Sequence, residues 1–173
     1  MQTSFQSSRI LLPASNHFIV FSFVIAFFLN FLPIAQFSWM PDWVALVLCF
    51  WGIRERRRVS TGWAFIFGLL MDVADGAVMG QHALAYVIMN YLCGFFSRRI
   101  LWFSLANQSV YVLPFLLLAQ LIQLLARSLT GGEFPGFGYF VGPVLAAVLW
   151  LPVSLLLLLP QHRPVERDEN RPI

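Results

Sequence analysis

The sequence predicts an all-α polytopic membrane protein with about six spans in a single domain. Three observations carry this. First, the 173 residues are 59% hydrophobic and only 11% charged, with a mean hydropathy of +0.75. Soluble domains run at about 45–50% apolar and about 25% charged. A folded domain of this length still exposes roughly a third of its unfolded surface, so the apolar excess has to face lipid. Second, the apolar residues fall into runs bounded by Pro, Gly and Arg. Third, lysine is missing, and the eleven basic residues are arginines gathered at the ends of those runs. This composition excludes a soluble enzyme, a disordered regulator and a disulfide-stapled secreted domain.

Residues 1–16, rich in Gln and Ser with Arg9, read as a cytoplasmic tail. His17–Leu32 is the first span, stopped by Pro33. It reads as a retained signal anchor, because the run is long and no small-residue cleavage site follows. Pro41 and Asp42 open the second span, Trp43–Ile53, with Asp42 as its N-cap. Such a run covers only about 16 Å of helix, against a hydrocarbon core of about 30 Å. It must borrow length from Phe37–Met40, let its arginines snorkel, or sit inside the bundle. The third span runs from Thr61 to about Met79. The fourth runs from His82 to Phe96 and stops at Ser97-Arg98-Arg99. Residues 100–109 read as interfacial. The fifth span is Val110–Ala126, ended by Arg127. A Gly-rich loop covers 128–138. The sixth span, Tyr139–Leu159, carries Pro143 and Pro152, which membrane helices tolerate. The membrane domain is thus 17–159, and the charged tail 160–173 reads as disordered.

Six spans put both termini on one side. Arg9, Arg54, Arg56, Arg57, Arg58, Arg98, Arg99, Arg163, Arg167 and Arg171 all fall there, and only Arg127 falls opposite. By the positive-inside rule, that basic face is cytoplasmic. Short clusters at span ends do not make the continuous basic stripe a nucleic acid needs, so none is expected as a partner. The opposite face carries Asp42, Asp72, Asp75 and Glu133.

Gly68, Asp72, Gly76 and Gly80 recur every four residues. On a helix this makes one stripe, where small residues let a partner helix approach. Asp72 would lie about 16 Å along the third helix, near mid-membrane. A carboxylate there is a functional candidate by default. Capping or bonding a broken backbone is favoured for it over a proton relay, since no cationic partner is evident in neighbouring spans. Asp75-Gly76 reads equally well as the end of that helix. His82, Tyr86 and Asn90 form a polar stripe on the fourth span, as do Gln120, Gln123 and Arg127 on the fifth. Both read as helix–helix hydrogen bonding, with a ligand pocket as the sharper alternative. Asp75, His82, Tyr86 and Asn90 are therefore the buried polar candidates.

Cys49 and Cys93 lie inside apolar runs and read as reduced small residues facing lipid or a helix. No Cys/His spacing fits zinc, so neither metal nor cofactor is expected. The motifs of CDP-alcohol phosphotransferases, intramembrane aspartyl proteases, rhomboid-type proteases and phosphate-binding loops do not occur. Without paired acid/base groups, catalytic residues are not expected.

Met40-Pro41-Asp42-Trp43-Val44, Phe50-Trp51, Arg58-Val59 with Gly62, and the series Gly68, Asp72, Gly76, Gly80, Ala83-Leu84 follow in order. Tyr91, the Arg98-Arg99 pair and Asn107-Gln108 come after them. This ordered set resembles the bacterial rod shape-determining MreD family over roughly residues 17–160. Relatives often carry a Pro-basic pair before the Arg58 position; here the loop reads Arg54-Glu55-Arg56-Arg57. The resemblance implies a non-enzymatic inner-membrane scaffold of the cell-elongation complex. It would bind the single-span protein MreC and help couple MreB filaments to the peptidoglycan polymerase and transpeptidase. It also implies a fold like the S components of energy-coupling-factor transporters. A small-molecule-binding S component is the alternative function, with its pocket near Asp72, His82, Tyr86 and Asn90. The arginine face (Arg54, Arg56, Arg57, Arg58, Arg98, Arg99) would meet anionic lipid or partner proteins.

Overall fold

A computed structural model describes residues 14–32 and 39–161. Six α-helices follow one another: α1 Asn16–Asn30, α2 Trp43–Arg54, α3 Thr61–Ala74, α4 Gln81–Ile100, α5 Leu105–Leu129 and α6 Val141–Leu158. A 3-10 turn, Phe137–Phe140, leads into α6, and another, Leu159–Gln161, extends it. The described residues contain no strand. Two segments are long and apolar enough to cross a membrane: Leu105–Leu129 and Phe137–Gln161. The bounds of the tails at 1–16 and 160–173 lie mostly outside the described residues.

The shortest helix is the centre. Every residue of α2 from Val44 to Ile53 is buried. A helix apolar all round belongs inside a bundle, and α2 packs against α1, α4, α5 and α6. This answers the length problem, because α2 needs no full span of its own. Phe50 meets Trp150 of α6 at 5.9 Å between ring centroids. The indole N–H of Trp51 donates to Ser22 Oγ of α1 at 2.9 Å, so a polar atom in the core is satisfied. The Sγ atoms of Cys49 and Cys93 lie 3.0 Å apart across α2 and α4. The two thiols face each other rather than lipid.

Outside this centre, α3 packs chiefly on α4 and meets α1 through stacked rings, Phe23 on Phe67 at 4.6 Å. Large apolar side chains cover the outer surface. Phe21 and Phe28 of α1, Val110 of α5 and Val148 and Leu156 of α6 are all exposed. That is the composition of a lipid-facing shell.

Three span boundaries differ from expectation. Helix α3 stops at Ala74, not near Met79. Helix α4 runs on through Arg98 and Arg99 to Ile100. Helix α5 begins at Leu105, taking in much of the stretch expected to be interfacial.

Candidate functional site

The end of α3 explains the first difference. Asp75 is its C-cap, and Gly76 follows at φ +61°. The Gly76 N–H donates to the Val73 carbonyl, and the Ala77 N–H to the Asp72 carbonyl at 2.9 Å. This pair of bonds is a Schellman stop, which needs a left-handed residue that glycine supplies without strain. Gly80 sits at φ +96° and precedes α4. Gly76 and Gly80 therefore lie in a turn, and the expected four-residue stripe does not exist on a helix. Gly68 does lie on α3, but its bare face is already occupied. A Cβ there would stand 2.3 Å from Ala83 Cα of α4. The stripe's one true packing glycine closes the α3–α4 pair and is not free for a partner.

Asp72 joins the same two helices. It is 1% exposed. Its Oδ2 accepts the Gly80 N–H at 2.8 Å, and its Oδ1 accepts the His82 N–H at 2.7 Å. His82 Nδ1 lies 2.9 Å from Oδ1 as well. Helix N-termini leave N–H groups unpaired, and Gly80 brings no side chain to cap them. Asp72 supplies the cap from the preceding helix, and the α4 dipole favours its negative charge. A buried carboxylate with both oxygens bonded by charge-assisted hydrogen bonds is well accommodated.

His82 extends the network outward. Its Nε2 lies 3.6 Å from Asp75 Oδ2. The Asp75 side chain is 42% exposed, so it is a rim residue, not a buried one. Partial burial nonetheless pushes its carboxyl above the usual range; His82 opposes this, and the charges of Asp42 and Asp72 add to it.

A second knot ties α1, α2 and α4. Asp42 caps α2 by accepting the Ala45 N–H at 3.0 Å. It also accepts from Asn30 Nδ2 at 3.1 Å and from the Tyr86 hydroxyl. Asn30 returns a bond, its Oδ1 accepting the Trp43 N–H at 2.9 Å. Asn30 was not among the sequence candidates. Its one signal is a polar side chain closing an otherwise apolar run. The fifth span's stripe does similar work toward α6: Gln120 Nε2 donates to the Tyr139 carbonyl at 2.8 Å, and Gln123 Oε1 accepts from the Tyr139 hydroxyl at 2.9 Å.

His82, Tyr86 and Asn90 are all buried, but they do not line one pocket. Tyr86 bonds Asp42, and Asn90 donates toward the Val59 carbonyl near the other end of the bundle. His82 reaches an open cavity, a cleft of about 450 Å³. Its other walls come from the α3–α4 turn, the end of α5 and Tyr139.

The expected arginine face is present at the opposite end. Arg56, Arg57, Arg58, Arg98 and Arg99 are exposed and Arg54 is half-buried. The Arg54 guanidinium lies 5.3 Å from the Phe50 ring centroid.

The family model described as rod shape-determining protein MreD matches residues 8–159. The Rod shape-determining protein MreD of Haemophilus influenzae is 33% identical over 143 residues, covering 78% of this chain and 85% of that protein. No solved structure matches.

Proposed function

The chain belongs to the MreD family of rod shape-determining proteins, and from that premise we propose that it is a non-enzymatic inner-membrane scaffold that binds MreC. In this reading both termini and the arginine face are cytoplasmic. The scaffold helps couple MreB filaments to the peptidoglycan polymerase and transpeptidase, and the bundle shares the S-component arrangement.

The observation that carries the proposal is an apolar groove between α1 and α6, floored by α2. It encloses about 490 Å³. Phe21, Ile25 and Leu29 line one wall, Leu149 and Leu156 the other, with Trp43 between them. Its one polar side chain, Ser22, is already bonded to Ile19 and Trp51. Such a groove suits an apolar single-span helix, which associates in lipid through close packing. The MreC membrane helix is the occupant we assign to it. The interface thereby moves away from Gly68, which α4 covers.

Co-purification with MreC in mild detergent tests this. Ile25→Trp and Leu156→Trp fill the groove from exposed positions and should abolish the complex. Val110→Trp, on a different exposed surface, should leave it intact. Full retention by both groove variants would sink the assigned interface. No complex with the wild type would sink MreC binding itself.

A further inference from the structure

The polar cleft is left over by partner docking, since it lies across the bundle's acidic end rather than in the apolar groove. Asp75, Gln81, His82, Arg127, Thr130 and Tyr139 line it. Its volume of about 450 Å³ falls within the roughly 300–1,000 Å³ of small-ligand sites.

Its two charges are placed by matching helix stops. Asp75 is the C-cap of α3. Arg127 lies in the last turn of α5, which ends as α3 does. There Gly131 stands at φ +81°, its N–H donates to the Ser128 carbonyl, and the Gly132 N–H donates to the Arg127 carbonyl. The bare Gly132 also seats the arginine stem, because a Cβ there would stand 2.6 Å from Arg127 Cγ.

Arg127 and Asp75 do not pair with each other. Among the described residues, Arg127 makes no side-chain hydrogen bond and no ion pair. A cation and a carboxylate thus share one cleft while each keeps capacity for an outside group. The segments that supply the cleft also carry exposed apolar side chains: Met79, Leu129 and Phe137 are 68%, 87% and 85% exposed. All helix ends here belong to the same end of the bundle. Exposed apolar side chains beside exposed charges at one end of the bundle are the setting of a membrane–water interface.

We propose that this cleft binds a zwitterion of the phosphoethanolamine class, its phosphate on Arg127 and its primary ammonium on Asp75. Arginine matches phosphate oxygens through its planar fork of donors. Asp75 accepts hydrogen bonds that a primary ammonium can donate and a quaternary one cannot. The zwitterion is either the headgroup of a bilayer lipid or a free small molecule.

The test is native mass spectrometry of the full chain from mixed micelles holding equal phosphatidylethanolamine, phosphatidylcholine and phosphatidylglycerol. The wild type should retain phosphatidylethanolamine about tenfold better than phosphatidylcholine, as one charge-assisted hydrogen bond allows. Asp75→Asn should erase that preference. Arg127→Gln should lower retention of all three lipids, while Arg127→Lys keeps most of it. Gly132→Ala, which displaces the arginine stem without removing the charge, should fall between. Excess free O-phosphoethanolamine separates the sources: displacement of the lipid assigns a soluble zwitterion, and none assigns the lipid. Equal retention of the three lipids by the wild type overturns the proposal. So does a wild-type preference in both Asp75→Asn and Arg127→Gln.

Discussion

At the end formed by the α2–α3 loop and the C-terminus of α4, most of the charge stands outside the fold; Arg54, half-buried with its guanidinium over the Phe50 ring, is the exception. The Arg56 stem lies 3.3 Å from where a Gly94 Cβ would be. Arg58 pairs loosely with Glu55 at 3.8 Å and donates to the Ala14 carbonyl. Arg57, Arg98 and Arg99 are exposed. At the opposite end, charge is inside the fold. Asp72 and Asp42 each cap a helix and tie it to a neighbour. The two sets of charges, opposite in sign, therefore do different work. The arginines can set orientation in a membrane without determining the backbone path. The aspartates determine the path, because removing one leaves several buried donors unpaired.

Asp72→Ala is the harshest way to probe this difference. It strands the Gly80 and His82 N–H groups and the His82 ring. Each unsatisfied buried donor costs about 1–3 kcal/mol, so a loss of roughly 3 kcal/mol or more is expected. Thermal unfolding in detergent would read it. Arg98→Ala in the same assay should stay within about 0.5 kcal/mol. A larger loss at Arg98 than at Asp72 would break the comparison. Gly68→Ala comes next. Its Cβ would meet Ala83 backbone at 2.3 and 2.5 Å, and overpacking of this kind costs about 1–3 kcal/mol. Gly52→Ala sharpens the point, because its clash is with the Asn90 side chain, which can rotate away. It should cost less than Gly68→Ala. Gly76→Ala and Gly131→Ala leave space intact but force a positive φ. About 1–2 kcal/mol each is expected, read as lowered melting temperatures.

The apolar runs and the one-sided arginines made the helices legible, since burial and insertion are written in composition and order, and the ordered residue set from Met40-Pro41-Asp42 to Asn107-Gln108 made the family so. The Asp42 cap was legible too, because capping is local and Pro41-Asp42 precedes an apolar run. The α3 boundary was not. Gly68, Asp72, Gly76 and Gly80 keep helical spacing, and the pattern carries no sign that a left-handed glycine breaks it. Asp75-Gly76 held the competing signal. A capping role for Asp72 was legible, but the helix end it caps, the start of α4, and the Asn30–Asp42 clamp were hidden for a further reason. Each joins two helices, and sequence spacing alone does not say which helix end lies beside which side chain. The cleft is a product of the same kind, assembled from two separate helix stops.

The smallest expected effect lies at Asp75, between the two regimes: a carboxylate at the rim, neither free like Arg98 nor fully bonded like Asp72. Its carboxyl is raised from the ordinary value of 3.8, first by burial. The folded state therefore holds this proton more tightly than the unfolded chain does. Its contribution to stability is fully present below the unfolded pKa and is lost as pH rises through the folded pKa. Over that window above about pH 4, wild-type stability should decline relative to Asp75→Asn, which has no proton to lose. With the side chain 42% exposed, solvent screening keeps the slope shallow. Melting temperatures of the two proteins across this window would measure it. Parallel curves would place Asp75 with the arginines as a charge the fold does not feel. A steep divergence would show that burial, rather than the solvent at the rim, governs this carboxyl.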